Sequence, residues 1–223
     1  MSPNNEEILR VLQEFKRLYD AKQFVMVRGQ KTVELLNATM MFNTADDGII
    51  TLPGFNTSTT YVDAELQWYE SASTKADFIS DFAKLWGDIS DDRNFVNSNY
   101  GYLVYSPQNC NQYDNVLKEL QKDPQSRRAV MVYCPNHIHY TGGSDYVCTM
   151  YVSYTIRDGQ LHAFVSMRSS DLRFGVVGAD LAWQVFVLKQ LAKELNVKPG
   201  FVHWHAVSLH LYERHFKVLE NLK

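Results

Sequence analysis

The chain is poor in cysteine, with only Cys110, Cys134 and Cys148 among 223 residues. An odd and sparse set argues against a disulfide framework and for a reducing compartment. Long apolar runs are missing as well, and none approaches the roughly 20 residues a membrane-spanning helix needs. The N-terminus, MSPNNEEILRVLQEF, is acidic and amphipathic, which excludes a signal peptide. Positive charge is not in excess, the formal net charge being −3. No polyanion-wrapping surface is expected, so neither nucleic acid nor a membrane is the expected partner. No repeat, low-complexity segment or Pro/Gly/Ser-rich linker divides the sequence. The expectation is one cytoplasmic domain over residues 1–223, large enough for a full core.

What is present is a mixture of helix and strand signals. Residues 6–22 predict a helix, with Ile8, Val11, Leu12, Phe15, Leu18 and Tyr19 on one face. Residues 31–42 read as a strand, and 63–71 and 75–87 as helices rich in aromatics. Residues 112–122 form a further helix closed by Asp123-Pro124. Strands are expected at 129–134, 145–157 and 160–168, with a hairpin turn at Asp158-Gly159. A long helix at 181–195, a strand at 201–209 and a helix at 212–222 complete the chain. The order lacks a regular β-α-β alternation. It predicts an α+β fold with a mixed, largely antiparallel sheet covered by helices.

Several residues could carry chemistry. Cys148, in DYVCTMYVSY, is either a small buried hydrophobe or a nucleophile, and cationic neighbours decide which. Candidate cations are Arg28 in VRGQK, Arg127 and Arg128 in DPQSRRAVMVY, and Arg168 in MRSSD. Arginine forks suit phosphate. Glu65, in DAELQWYES, could serve as a general acid or base beside a wet, semi-enclosed cavity. His210 and Tyr212, in SLHLYERHF, are two apart and can point the same way toward a sugar hydroxyl. Asp180 stands in FGVVGADLAWQ, just before a helical run, where an N-cap is the plain reading. A rival constellation is metal binding by His137-Ile-His139 and His203-Trp-His205, each pair projecting two imidazoles from one strand face.

Read in order, these stretches resemble the thymidylate synthase superfamily, and within it most closely the phage deoxycytidylate 5-hydroxymethylases. The segments that carry the resemblance are FVMVRGQKTVELLNA, AELQWY, KLWGDI, NSNYGY, QYDNVLKELQKDPQSRRAVMVY, DYVCTMYVSYTIRDG, SMRSSDLRFG, DLAWQ and SLHLYERHF. The resemblance implies that dCMP, 5,10-methylenetetrahydrofolate and water give hydroxymethyl-dCMP and tetrahydrofolate, with no metal. Cys148 would add to carbon 6 of the pyrimidine and make carbon 5 nucleophilic toward the methylene group. Glu65 would move protons through water and steer its addition, and Tyr100 would assist proton removal from carbon 5. Arg28, Arg168 and Ser169 would hold the 5′-phosphate. Arg127 and Arg128 would reach the partner's phosphate in a homodimer with shared sites. His210 and Tyr212 would contact the 3′-hydroxyl, and Trp86 and Asp171 the folate. The arginines would also favour the Cys148 thiolate.

The pattern departs from the synthases in four places. Val147-Cys148-Thr149 replaces Pro-Cys-His, and Met167 replaces Gln before Arg168-Ser169. The chain ends at Lys223, soon after SLHLYERHF, where the family continues into a tail over the folate. The expectation is a site that closes differently or stays wetter, favouring capture by water. Finally, Asp180 stands where synthases have Asn, although Asp171 to Asp180 is one residue longer than the family spacing. Strict spacing would place Ala179 there, but Gly178 can absorb an inserted residue. An Asn amide matches uracil, whereas a carboxylate accepts from the amino group of cytosine. Asp180 is therefore the expected selector of cytosine. The alternatives are a dUMP hydroxymethylase or a thymidylate synthase.

Overall fold

The computed structural model describes residues 1–135 and 144–222. Helix α1 (Pro3–Asp20) starts with the Ser2 hydroxyl accepting the Asn5 N–H and Pro3 in the first turn. Its stripe of Ile8, Val11, Leu12 and Phe15 is buried, and it packs against β2. The stripe is the face predicted from the sequence.

Among the described residues seven strands form the sheet: β1 (Val25–Val27), β2 (Gln30–Asn43), β3 (Val130–Val132), β4 (Thr149–Arg157), β5 (Gln160–Met167), β6 (Ser170–Asp171) and β7 (Lys198–Tyr212). Their order is β1-β2-β7-β5-β4-β3, with β6 beside the far end of β7. The pairs β5–β7 and β6–β7 are parallel and the others antiparallel. The expected hairpin turn is present, Asp158 and Gly159 having φ of 51° and 73°, the two left-handed residues of a type I′ turn. Arg28 and Gly29, with φ of 50° and 76°, turn β1 into β2 in the same way.

Helices α2 (Thr59–Glu70), α3 (Asp77–Ser80), α4 (Leu85–Ile89), α5 (Tyr100–Tyr105) and α6 (Gln112–Lys122) lie between β2 and β3. Helix α7 (Asp180–Glu194) runs between β6 and β7 and buries Trp183, Val187, Leu188 and Leu191 against β5 and β7. A short helix α8 (Lys217–Glu220) follows β7. The α+β expectation therefore holds. Gly101 lets α5 cross α2 closely, since a Cβ there would lie 1.6 Å from the Tyr69 carbonyl oxygen.

Three expected elements differ. Residues 75–87 form two short helices instead of one. Ser80 Oγ bonds back to the Ala76 carbonyl at 2.7 Å, competing with the helical ladder, and Phe78, Phe82 and Leu85 share no buried face. Residues 145–148 precede the strand because the Asp145 carboxylate accepts from the Asn97 and Ser98 N–H groups. The last strand runs on to Tyr212, so residues 212–222 hold only a 3-10 turn and α8.

The sheet face away from α7 exposes Met41, Tyr151, Phe164 and Phe201. It carries a depression of about 590 Å³ lined in part by Arg10, Met41, Tyr151, Phe164, His203 and His205.

Candidate active site

Helix α2 is capped by Ser58, whose hydroxyl accepts the Tyr61 N–H. It presents Glu65 inward, only 4% exposed. Tyr69, one turn later, donates to Glu65 Oε1, and Tyr61, one turn earlier, is close enough to act on the same carboxyl. Burial pushes the Glu65 carboxyl up to about 7, and the two tyrosines hold it from rising further. The sequence made Glu65 a candidate without its clamp. The spacing of Tyr61 and Tyr69, four residues to either side, was the available signal.

Asn99 caps α5 by accepting the Tyr102 N–H at 2.7 Å, which sets Tyr100 in the core. Tyr100 stacks on Tyr69 at 5.1 Å and meets Tyr133 edge-on at 5.2 Å. Its hydroxyl accepts from Thr149 Oγ1 at 3.0 Å and lies close enough to Asp180 to act on its carboxyl. Thr149 was not among the expected site residues.

Asp180 does not cap its helix. It lies at φ −60° and ψ −44°, already helical, after Ala179, and no side chain caps this end. The eight residues Leu172–Ala179 form a widened π turn, with Gly178 off-helix at φ −90° and ψ −126°. Such a turn accommodates an additional residue. Ala179 is 1% exposed and packs with Val62 and Ala182. The Asp180 carboxylate turns instead toward Tyr100 and Gly175, where a Cβ would lie 2.8 Å from its Oδ2. Ser170 Oγ, buried and without a hydrogen-bond partner among the described residues, flanks the same glycine. The Asp180 side chain keeps a partly open surface, yet its carboxyl is desolvated. Burial, and then the charge of Glu65, push it up to about 7, while Tyr100 opposes the rise.

Cys148 immediately precedes β4. Arg168 folds over it, with Nη2 at 3.6 Å from Sγ, Nε donating to the Val147 carbonyl at 2.9 Å, and the guanidinium 4.6 Å from the Tyr146 ring centroid. The expected effect of an arginine on the thiol is present at Arg168 but is outweighed. Burial pushes Cys148 up to about 11, Arg168 lowers it, and Asp180, Asp145 and Asp171 raise it again. One cation does not offset desolvation among three carboxylates.

The remaining candidates separate into two groups. His210 and Tyr212 point the same way as expected, their rings 5.0 Å apart. His210 pairs in register with Asp171, and burial lowers its pKa against the pull of that carboxylate. Asp171 Oδ1 accepts the Arg173 and Phe174 N–H groups, while Oδ2 faces Arg214 at 3.9 Å. Arg28 is exposed on its hairpin turn, near enough for its charge to act on Tyr212. Ser169 follows Arg168 and is half-buried. Trp86 donates from Nε1 to Tyr61 Oη at 2.9 Å and lies 4.9 Å from the Trp68 ring.

Arg127 and Arg128 are elsewhere. The Ala129 carbonyl accepts the Tyr154 N–H, so the two arginines lie toward the far end of β4, roughly 20 Å from Cys148 at about 3.3 Å per residue. Arg128 pairs with Glu119 at 2.9 Å. Of the two histidine pairs, His203 and His205 share one strand face as expected, but His203 stacks on Phe164 at 4.4 Å and His205 Nε2 meets Asn37 Oδ1 at 2.8 Å. His137 and His139 lie outside the described residues. Among the described residues no group of three or more His, Cys, Asp or Glu could hold a metal ion.

A thiol beneath an arginine, with two raised carboxyls beside the stacked Tyr69 and Tyr100, has the groups that covalent and proton-transfer chemistry require. The family model described as thymidylate synthase matches residues 9–222, and the chain belongs to that family. It is 37% identical over 213 residues to the deoxycytidylate 5-hydroxymethyltransferase of Enterobacteria phage T4, covering 90% of this chain and 84% of that protein. The phage T2 protein of the same name matches equally. A deoxyuridylate hydroxymethyltransferase of Bacillus phage SP01 is 28% identical over 83% of this chain and 51% of that protein.

Proposed function

We propose that the chain is a deoxycytidylate 5-hydroxymethyltransferase acting as a single catalytic domain over residues 1–223. The observation that carries this reading is the carboxyl of Asp180 turned toward Tyr100 and Gly175, close enough to Cys148 for its charge to act on the thiol. A carboxyl near 7 can accept from the cytosine amino group and, when protonated, donate to ring nitrogen 3. Uracil presents the opposite pattern, and against the ionised, acceptor-only carboxylate its O4 would be left unpaired, at roughly 1–3 kcal/mol.

Cys148 Sγ adds to carbon 6 of the ring as its proton passes to solvent, and the sulfur is expelled again, restoring the ring double bond, when water has added to the one-carbon group on carbon 5. Arg168, 3.6 Å away, stabilises the developing thiolate. Carbon 5 thereby gains nucleophilic character. Tyr100, held by Thr149, assists the loss of the carbon 5 proton, and Glu65, near 7, takes and returns protons through water at working pH. Arg28, Arg168 and Ser169 hold the 5′-phosphate, and His210 and Tyr212 hold the 3′-hydroxyl.

The half-buried ring of Trp86 and the carboxylate of Asp171 suit a flat, hydrogen-bonding heterocycle, an apolar face with an acceptor beside it. They would hold 5,10-methylenetetrahydrofolate, which supplies the one-carbon unit when bound. A homodimer with shared sites fits the exposed apolar sheet face and the seat of Arg127 and Arg128 away from their own protomer's thiol. Among the described residues no helix is long and apolar enough to cross a membrane. The proposed setting is the cytoplasm, that of the host if phage-encoded, with a modified DNA precursor as the product.

The test is product analysis with dCMP, CMP and dUMP offered in parallel. Hydroxymethyl-dCMP with tetrahydrofolate supports the reading. Turnover of dUMP alone, or formation of dihydrofolate, overturns it in favour of a uridylate hydroxymethylase or a thymidylate synthase.

A further inference from the structure

Helix α2 places Tyr61, Glu65 and Tyr69 at four-residue intervals along one face. Tyr69 is a fixed partner, buried and stacked between Trp68 and Tyr100. Tyr61 is half-buried, and its hydroxyl has two engagements. It accepts the Trp86 Nε1–H at 2.9 Å, and it stands one helical turn from Glu65, close enough to act on that carboxyl. A tyrosine hydroxyl has one proton to give. With the indole N–H on its acceptor side, that proton is free to turn along the helix face toward the Glu65 carboxyl. Trp86 stands on α4, five residues with no side-chain cap and no buried residue. Its ring is held by Trp68 and by Tyr61. A weakly anchored helix is thus tied through one hydroxyl to a buried carboxyl.

We propose that Tyr61 is a positioning residue for Glu65 and couples the carboxyl's orientation and proton affinity to the seat of Trp86. This coupling deepens the functional reading above and rests on it for the assignment of Trp86 to the folate site. With Trp86 seated, Tyr61 donates to Glu65 and favours its charged form. With the indole turned away, the hydroxyl is free to rotate its proton elsewhere, and Glu65 keeps its own proton more tightly. Filling the folate site then sets the protonation of the group that handles water. The other titratable groups facing Glu65 are Tyr69 on the same helix, Tyr100 from α5 and Asp180 from α7. Asp180 titrates in the same range, so the measurement belongs in an Asp180→Asn background.

The experiment is an infrared titration of the purified protein between about pH 5 and 9, a window centred on a carboxyl raised well above its ordinary value. The Glu65 band is assigned by its loss in Glu65→Gln. Tyr61→Phe, which removes only the hydroxyl, is expected to raise the Glu65 midpoint by about one pH unit, a typical effect of losing one donor to a carboxylate. Trp86→Phe is expected to move it the same way by less, and to add nothing to Tyr61→Phe. In turnover assays Tyr61→Phe lowers kcat, leaves KM for dCMP near the parent value and shifts the pH limb with the midpoint. A midpoint that stays fixed in Tyr61→Phe, or additive shifts in the double variant, overturns the coupling. Should Tyr61→Phe fail to fold by circular dichroism, an unmoved midpoint in Trp86→Phe overturns it equally. The titration requires no activity. A shifted midpoint without dCMP turnover sinks the functional reading alone, and turnover with an unmoved midpoint sinks the coupling alone.

Discussion

Asp180 Oδ2 occupies the space that a side chain on Gly175 would need, 2.8 Å from where its Cβ would stand. The carboxylate that faces the site is therefore shaped by a residue five positions earlier in the widened turn. Gly175→Ala is expected to push the Asp180 carboxylate aside by a fraction of an ångström to an ångström. A misplacement of that size costs up to about 100-fold in rate. Steady-state kinetics on dCMP should show a loss of about 10- to 100-fold in kcat/KM with a smaller loss of thermal stability. Unchanged kinetics would mean that Asp180 does not read the base.

Asp180→Asn should move preference from dCMP toward dUMP. One unpaired polar group at about 1–3 kcal/mol corresponds to a ratio change of roughly 5- to 160-fold. Competition assays with the two nucleotides measure it directly.

The same substitution has a stability consequence. Burial raises Glu65 and Asp180 to about 7 from ordinary values of 4.5 and 3.8. The folded chain then holds protons that the unfolded chain has released, between about pH 4 and 7, so stability falls as pH rises through that window. Thermal melts should show Tm decreasing from pH 5 to pH 8 in the parent. Asp180→Asn should flatten the decrease and melt higher at pH 8, by about 1.4 kcal/mol for each pKa unit of relief.

Burial pushes Cys148 up to about 11, so its alkylation should be slow at neutral pH and rise steeply only in strong base. With Cys110 and Cys134 replaced by serine, iodoacetamide labelling followed by mass spectrometry gives the profile. Asp180→Asn should speed labelling and Arg168→Met should slow it, each following the sign of the charge removed. Cys148→Ser should abolish turnover.

Shared sites can be tested by mixing inactive chains. An Arg127→Ala/Arg128→Ala chain and a Cys148→Ser chain should each be inactive as homodimers. Re-equilibrated together they should regain about a quarter of parental activity, from heterodimers with one intact site. No recovery would remove these arginines from the partner's site.

Elements fixed by local chemistry were legible before the fold. The apolar stripe of α1, the left-handed pair at Asp158-Gly159 and the run from Gln112 to Lys122 all depend on neighbours in sequence. Residues 75–87 misled because helical spacing says nothing of which face will be covered, and there the face stays open. Asp180 was misjudged as a cap for a related reason. An Asp before an apolar run predicts a cap, but the π turn had already brought the backbone into helical geometry. The resemblance named Cys148, Glu65 and Tyr100, yet the state of the thiol was unreadable, because it depends on three carboxylates and a burial that only the folded chain assembles. Thr149 and the tyrosine clamp were hidden behind residue types that usually serve packing.

Because the widened turn of Leu172–Ala179 lies ahead of α7, it acts as a shim. One residue added within an α-helix would rotate everything beyond it by about 100° and swing Trp183 and Leu188 out of the core. Taken up before the helix, the same residue leaves Asp180, the first residue of α7, and the inward stripe behind it in register. A change of length in that stretch is thus absorbed without disturbing either the carboxylate proposed to read the base or the core beneath it.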